Sequence, residues 1–312
     1  MDANEEKIAV ARLSVYSNST LVVLKLAVGT VMGSVAVISE AIHSGLDLVA
    51  ALIAKYSVKR SAEPADKEHR FGHGKFENLS GMIEGILILV AATWIMYEAT
   101  RRLIGMSEVQ MLEAGMAVMA VSAVLNFIVS KKLMRVAKKT ESLALEADAY
   151  HLTTDVWTSL GVFVALGLIE VTGFRLLDPA IAIVVAAFIV RAALDITRRS
   201  TEGLLDKSLP ESEHKAIERI MDEHNDEFLN YHDLRTRKAG SERHIDLHIA
   251  VPKDWSVQEA DQLAKHLESD IKTKLPRSVV MIRSEPCDFK CDECKLESTK
   301  PECARKLSRQ DC

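Results

Sequence analysis

No cysteine precedes Cys287 in this chain, and all five cysteines lie in the last part of the sequence. Disulfide bonds therefore cannot hold together the segments before that residue. Positive charge is not in excess, because the formal net charge is -5, and a nucleic-acid partner is not indicated. The opening residues, Met-Asp-Ala-Asn-Glu-Glu-Lys, lack the basic region of a cleaved signal peptide. We therefore expect the first apolar segment to be retained as a helix.

Apolar segments are concentrated before about residue 200, and charged residues dominate after it. Since about 20 predominantly apolar residues cross a bilayer as a helix, the pattern predicts six membrane spans. The predicted spans are 11–32, 35–57, 79–100, 111–131, 148–171 and 178–197. We expect an all-α six-helix transmembrane bundle over 1–205, a small α+β domain over 206–286 and a cysteine-rich tail over 287–312.

The distribution of lysine and arginine predicts the orientation in the membrane. Ten basic residues follow spans two and four: Lys59, Arg60, Lys67, Arg70, Lys75, Lys131, Lys132, Arg135, Lys138 and Lys139. The opposite connections carry only Arg101, Arg102 and Arg175. Because basic loops stay on the cytoplasmic side, both termini and the soluble domain are expected in the cytoplasm.

Two His-x-x-x-Asp pairs lie within apolar segments, His43 with Asp47 in span two and His151 with Asp155 in span five. Residues four apart share one face of a helix. Two imidazoles and two carboxylates are the ligand number and type of a tetrahedral Zn²⁺ site. Each pair could instead be a polar contact within its own helix. We favour a shared ion, because ionisable groups at the bilayer centre each cost about 2.5 to 3.5 kcal/mol without a partner.

Protons compete with metal at such a site. Protonation of His43 or His151 removes the lone pair that a metal needs, so the sequence predicts exchange of metal against protons. Glu40 and Asp148 each lie one turn before a motif histidine. They are candidates for an outer coordination layer or a proton path, although Asp148 is interpreted first as a boundary residue solvated by lipid headgroups.

Residues from about 8 to 286 resemble the cation diffusion facilitator family. The resemblance depends on the paired motifs, on Gly45-Leu-Asp47 and on Pro64-Ala-Asp-Lys-Glu-His-Arg-Phe-Gly-His-Gly-Lys75. It implies homodimeric, proton-coupled export of Zn²⁺ or related ions by alternating access, with the bundle in a bacterial inner membrane. Some bacterial members have aspartate where this chain has His43, and the two-His, two-Asp set resembles that of zinc-selective members. Cd²⁺ and Fe²⁺ stay as alternative substrates.

The loop between spans two and three contains Asp66, His69 and His73 with two glycines that permit tight turns. A solvated loop is the simplest interpretation of these residues taken alone. The resemblance implies a metal site at all three. It also implies that Lys75 pairs with Asp206 to lock the protomers at the domain junction.

The soluble domain is predicted to contain a helix over 211–225, strands over 229–238 and 243–251, a helix over 256–275 and a strand over 278–283. This α-β-β-α-β order resembles the ferredoxin-like, metallochaperone-like domain of the family, which dimerises and senses metal. In the second strand, His244, Asp246 and His248 alternate with apolar residues. The alternation predicts one wet face and one buried face.

His232 and His248 match ligand positions of the family's dinuclear cytoplasmic site. The matching histidine and aspartate near the last strand are here Arg283 and Glu285. Because the arginine would repel a second cation, we expect a mononuclear or altered site formed by His232, His248 and Glu285. His244 is a further candidate ligand, and histidines on a metal-free surface are the alternative.

The tail is expected to bind metal through Cys287, Cys291, Cys294 and Cys303, since thiolates are kept reduced in the cytoplasm. A mobile tail without metal is the alternative. Taken together, the sequence predicts a Zn²⁺/proton antiporter with Zn²⁺ also in regulatory sites. A membrane-anchored metal sensor is a second hypothesis. A metalloenzyme is disfavoured, because no His-Glu-x-x-His sequence occurs and four protein ligands leave no position for a catalytic water.

Overall fold

The computed structural model describes residues 3–32, 35–105, 113–173 and 176–287, and the chain forms two compact units, Met1–Leu205 and Asp206–Cys312. Six long helices make up the first unit. They are α1 Ala3–Met32, α2 Val35–Ser61, α3 Lys75–Gly105, α4 Glu113–Thr140, α5 Leu143–Thr172 and α6 Leu177–Leu204. Several continue past the predicted spans into charged sequence, as α2 does through Lys59 and Arg60.

Four of these helices contain segments long and apolar enough to cross a membrane. The segments are Glu40–Ser61, Lys75–Arg101, Ala117–Thr140 and Pro179–Leu204. Helices α1 and α5 have a comparable length of 30 residues each, but they mix ionisable residues such as Lys25 and Asp155 into apolar sequence. Large apolar side chains such as Trp94 and Phe188 are 67% and 71% exposed, as expected where a helix faces lipid. The first unit is a helical transmembrane domain.

Helices α3 and α6 pack closely along a line of small residues. A Cβ atom at Gly81 would lie 2.5 Å from Ser200 Oγ, and one at Gly85 would lie 3.1 Å from the backbone nitrogen of Thr197. Gly203 faces Asn78 in the same way. Small residues let membrane helices approach until their backbones nearly touch. We call Gly81, Gly85 and Gly203, with the residues facing them, the glycine seam.

A buried ion pair joins three helices at one end of the bundle. Lys7 Nζ on α1 donates to Glu77 Oε1 on α3 at 2.8 Å, and the two side chains are 3% and 1% exposed. Ser61 Oγ at the end of α2 donates to the same carboxylate oxygen at 2.9 Å. Because a buried charge without its partner is strongly destabilising, this pair fixes the relative positions of the three helices.

The second unit contains α7 Glu211–Glu223, β1 Asn230–Ala239, β2 Glu242–Val251, α8 Val257–Lys274 and β3 Ser278–Pro286. The sheet order is β1-β2-β3, with β1 and β2 antiparallel and β2 and β3 parallel. Helix α8 makes the crossover between the parallel strands and begins with a capping box between Ser256 and Glu259. The core joins buried residues of both helices to one face of β2: Ile217, Met221, Leu263, Leu267, Ile271, Ile245, Leu247 and Ile249.

The prediction that one face of β2 is exposed to solvent is only partly correct. Asp246 is exposed and His248 is half-buried, but His244 is 7% exposed and belongs to the buried residues. Burial lowers the pKa of His244, and the nearby positive charge of Arg237 acts in the same direction. His244 also lies outside the group formed by His232, His248 and Glu285. Its candidacy as a ligand of that group was therefore wrong.

Candidate metal centres

The paired motifs meet where α2 and α5 contact each other. His43, Asp47 and Asp155 each place a ligand atom within 4.8 Å of the others. His151 reaches the group through Asp47, since its Nε2 lies 3.0 Å from Asp47 Oδ1. The fold therefore brings all four motif residues together around Asp47, as a shared ion requires. We call these four residues the intramembrane tetrad.

Burial differs across the tetrad. Asp47 and His151 are 5% and 9% exposed, whereas the side chain of His43 is 50% exposed. His43 Nε2 lies 4.0 Å from Asp47 Oδ1, farther than the corresponding nitrogen of His151. The tetrad is thus buried at Asp47 and His151, half-buried at Asp155 and open at His43. An ion could enter or leave past the imidazole of His43 without disturbing the buried pair.

Two polar residues beside the tetrad were missed by the sequence analysis. Asn126 on α4 is 5% exposed, and its Nδ2 donates to Asp155 Oδ2 at 3.3 Å. Lys25 on α1 is also 5% exposed, and its ammonium donates to Ser44 Oγ at 2.8 Å and Glu40 Oε2 at 3.1 Å. Both are polar residues in apolar sequence, which is the signal that identified the histidines and aspartates.

Asp148 is buried, with 1% exposure, so its interpretation as a headgroup-solvated boundary residue was wrong. Glu84 on α3 is fully buried too and accepts a hydrogen bond from Ser80 Oγ at 3.0 Å. Asp148 precedes His151 by one helical turn on α5. Buried carboxyl groups in a membrane helix are expensive and mark polar paths or ion sites. These two residues extend the polar interior of the bundle beyond the tetrad.

Asp66, His69 and His73 form a second group, with ligand atoms within 4.8 Å of one another. Gly72 adopts a φ of 80°, and its N–H donates to the carbonyl of His69 at 2.9 Å, which turns the chain so that both imidazoles face Asp66. His73 Nε2 lies 3.2 Å from Asp66 Oδ2. Neither ring nitrogen of the buried His73 makes a hydrogen bond within the described residues. A buried imidazole nitrogen that lies beside a carboxylate without a hydrogen bond fits a cation held by both groups.

The carboxylate of Asp66 is held in its charged form. The backbone N–H groups of His69 and Glu68 donate to Oδ1 at 2.6 and 2.9 Å. These bonds, with the one from His69 contributing most, lower the pKa of Asp66. A permanently ionised aspartate beside two imidazoles is suited to a divalent cation.

The third group lies on the sheet of the second unit. His232 and His248 are directly paired across β1 and β2, with ring centroids 5.4 Å apart. Glu285 on β3 places Oε2 at 3.4 Å from His232 Nε2 and Oε1 at 3.3 Å from His248 Nδ1. Arg283 Nε lies 3.1 Å from the same Glu285 Oε1. The structure brings the three predicted ligands together. It also places Arg283 in contact with one carboxylate oxygen of Glu285.

Two further predictions extend beyond what the structure describes. Cys291, Cys294 and Cys303 lie outside the described residues, whereas Cys287 forms no disulfide within the described part of the chain, and its backbone N–H donates to the carbonyl of Val251 at 3.1 Å. Lys75 Nζ donates to the carbonyl of Leu204 at 3.2 Å within the first unit. Asp206 accepts from Arg237 at 3.2 Å within the second. The pairing of Lys75 with Asp206 stays a prediction.

Comparison with known proteins gives two matches to family models. Residues 11–205 match the cation efflux transmembrane domain, and residues 209–287 match the cytoplasmic domain of cation efflux proteins. The two matches together span nearly all residues that the structure describes. Each match falls within one compact unit.

Similar proteins cover most of the chain. An uncharacterized transporter of Synechocystis sp. is 37% identical over 278 residues, which is 89% of this chain and 90% of that protein. The cation-efflux pump FieF of Yersinia pestis is 31% identical over 269 residues, covering 86% of this chain and 89% of the pump. A solved structure of CzrB in its Zn form is 31% identical over 27% of this chain and 97% of that chain, with a TM-score of 0.26.

A match over 195 residues of the transmembrane unit, together with a relative 31% identical along nearly its whole length, identifies the family. The tetrad lies within the matched regions, and so do Asp66, His69 and His73, which we call the loop group, and His232, His248 and Glu285, which we call the sheet group. This chain is a membrane-embedded cation efflux transporter of the cation diffusion facilitator family.

Proposed function

We propose that the chain exports Zn²⁺ from the cytoplasm in exchange for protons, with the intramembrane tetrad as the transport site. The observation that carries the proposal is the 3.0 Å approach of His151 Nε2 to Asp47 Oδ1 across α2 and α5. A proton shared by these two atoms occupies the place where a metal would bind both. Metal and proton are then mutually exclusive, which is the requirement for coupled exchange.

The ligand chemistry supports Zn²⁺ as the substrate. Imidazole and carboxylate ligands in a set of four suit zinc, whereas Mg²⁺ prefers oxygen ligands and retains its waters. Cd²⁺ and Fe²⁺ are the nearest competitors, since similar ligands accept them. The tetrad holds no cysteine that would favour softer ions.

The membrane arrangement follows from the same proposal. All six long helices cross the bilayer, α1 and α5 with their ionisable faces turned inward. Both termini lie in the cytoplasm, in accord with the basic connections after α2 and α4. The chain works as a homodimer, which is supported by the match of residues 209–287 to a family model named for dimerisation. The loop and sheet groups bind regulatory Zn²⁺ on the cytoplasmic side, and the sheet group holds a single ion because Arg283 contacts Glu285.

Flux measurements in proteoliposomes test the proposal. With the vesicle interior made acidic, Zn²⁺ should accumulate inside the vesicles. Protons should leave in exchange, so the internal pH should rise. Asp155→Ala should abolish both signals, and Asp195→Ala, which removes a 62% exposed carboxylate on α6, should leave them intact. Parallel assays with Cd²⁺, Fe²⁺ and Mn²⁺ rank the substrates. Zn²⁺ flux that persists in Asp155→Ala would overturn the assignment, and binding without flux in the wild type would favour a sensor.

A further inference from the structure

A fourth group of metal-ligating side chains lies on the helices of the second unit. His224, Glu227 and His266 each offer a ligand atom within 4.8 Å of the others. Asp270 adjoins them, with its Oδ2 at 3.2 Å from His224 Nε2 and 3.8 Å from His266 Nε2. The two imidazole rings are 5.1 Å apart and nearly perpendicular. We call these four residues the α7/α8 cluster.

The local fold holds each member of the cluster in place. His224 is the residue that ends α7, and the N–H of Glu227 donates to the carbonyl of His224 at 2.9 Å, so the following turn folds back beside it. His266 and Asp270 are four residues apart and share one face of α8. Both helices are anchored in the hydrophobic core by side chains close in sequence to the cluster residues. Met221 on α7 precedes His224 by three residues, and Leu267 on α8 follows His266 directly. His266 and Asp270 therefore stand on a rigid helix, and the hydrogen-bonded turn after α7 holds His224 and Glu227 beside them.

The orientation of His224 is set by the backbone. Its Nδ1 lies 2.9 Å from the carbonyl oxygen of Ile220, and a carbonyl can only accept a hydrogen bond. Nδ1 must therefore carry a proton. In the neutral imidazole the lone pair is then on Nε2, the atom that faces Asp270. Metal-binding histidines commonly donate their second nitrogen to a backbone carbonyl in this way.

The contact between His224 and Asp270 needs a positive charge between its atoms. A lone pair on Nε2 and a carboxylate oxygen at 3.2 Å are both acceptors, so they repel unless a proton or a cation joins them. Two imidazoles and two carboxylates match the ligands of Zn²⁺ and similar first-row ions. A divalent ion would neutralise both carboxylates.

We propose that the α7/α8 cluster is a binding site for Zn²⁺ or a similar first-row divalent cation. It is distinct from the sheet group, because its ligands come from α8 and from the C-cap and turn after α7, whereas His232, His248 and Glu285 lie on strands. The side chains of His224, Asp270 and His266 are 15%, 38% and 54% exposed. An ion can thus exchange with solvent without unfolding of the core. Bound metal would clamp the end of α7 to α8 and tie the stability of the helical layer to metal concentration.

A stoichiometry measurement on the full-length chain tests this site independently of transport. The protein in detergent is stripped with a chelator, dialysed against buffered free Zn²⁺ with excess Mg²⁺, and assayed for zinc per chain. His224→Gln/His266→Gln should bind one ion fewer than the wild type, and the rise in unfolding temperature of the cytoplasmic unit with Zn²⁺ should be smaller in the double variant than in the wild type, because only the sheet group then remains to bind Zn²⁺. His214→Gln is the matched control, since His214 instead contacts Thr236 Oγ1 at 2.9 Å, and its zinc count should equal that of the wild type.

Circular dichroism verifies that the double variant is folded. If it is not, Asp270→Asn provides the test, because the change keeps the shape of an exposed side chain and should weaken binding of the same ion at least tenfold. An equal zinc count in the wild type and in a folded double variant would overturn the proposal. So would unchanged affinity in Asp270→Asn. Either result would identify His224 and Asp270 as an ion pair joined by a proton.

Discussion

Lys25 Nζ lies 2.8 Å from Ser44 Oγ, so a buried ammonium group contacts the residue next to His43. Its partner Glu40 balances the charge at 3.1 Å, but the carboxylate is 43% exposed and partly screened by solvent. The lysine therefore places a positive charge beside the tetrad, the proposed transport site. In the proposed mechanism this charge competes with the transported metal.

Lys25→Met should tighten binding of Zn²⁺ to the tetrad and slow its release. Removing a unit charge from the partly buried surroundings of a divalent ion is worth about 1 kcal/mol or more at an effective dielectric constant of about 20, which corresponds to at least about fivefold in affinity. The KM for Zn²⁺ should fall, and maximal flux should fall with it. Lys25→Arg keeps the charge and should retain a KM near the wild-type value. A rise in KM for Lys25→Met would contradict the competitor role.

Asn126→Ala should reduce flux without abolishing it. The amide donates one hydrogen bond to Asp155, at a rather long 3.3 Å, and such a bond contributes about 1 kcal/mol. We expect a loss of about fivefold in the transport efficiency kcat/KM for Zn²⁺. Ser122→Ala is the control one turn earlier on α4, because Ser122 bonds to the carbonyl of Val118 in its own helix. Equal effects of the two changes would show that Asn126 does not position Asp155.

Gly85→Ala should destabilise the transmembrane unit by about 1 to 3 kcal/mol, the usual cost of overpacking. The added methyl group would meet the side chain of Thr197 and its backbone nitrogen at 3.1 Å, and the backbone cannot move away as a side chain can. Gly45→Ala is the matched control in a neighbouring helix, since nothing lies within 4 Å of its Cβ position. Thermal unfolding in detergent compares the two. The same melting temperature for both variants would refute the claim that α3 and α6 are tightly packed at Gly85.

His244 should make the cytoplasmic unit less stable in mild acid. Its pKa is lowered by burial, so the folded state prefers the neutral ring. The stabilising contribution is complete above about pH 6.5, the unfolded value, and is lost as pH falls from there through the lower folded pKa. Urea unfolding of the full chain between pH 8 and pH 5 should show a steeper decline for the wild type than for His244→Gln. Replacing Trp94 and Trp157 by phenylalanine leaves Trp255, which packs against the cytoplasmic core, as the reporter. Parallel declines would mean that His244 ionises freely in the folded protein.

The α+β domain was predictable because its elements are short and amphipathic. The strand and helix bounds fall within three residues of those expected, since the apolar periodicity and the tight turn at Gly240 fix them locally. The burial of His244 was not predictable in this way. A period-two pattern assigns alternate residues to opposite faces, but it cannot show that neighbouring groups cover the end of the wet face.

In the bundle, the motif spacing predicted which residues share a helical face but not which helices meet. That α2 and α5 bring Asp47 and His151 to 3.0 Å depends on packing between segments 104 residues apart. Lys25 and Asn126 were missed because a search for metal ligands considers histidine, cysteine and carboxylate side chains and does not include lysine or asparagine. The α7/α8 cluster was missed because its histidines lie 42 residues apart on amphipathic helices, where a histidine is ordinarily a surface residue.

The glycine seam also constrains how the bundle can move. Where glycines of α3 and α6 are in close contact with side chains of the facing helix, sliding one helix past the other would force atoms to overlap. These two helices must therefore shift together as a single stiff strut. The four residues of the tetrad stand on α2 and α5, outside this strut, so a movement of the tetrad relative to α3 and α6 is a movement of α2 and α5 against a fixed support.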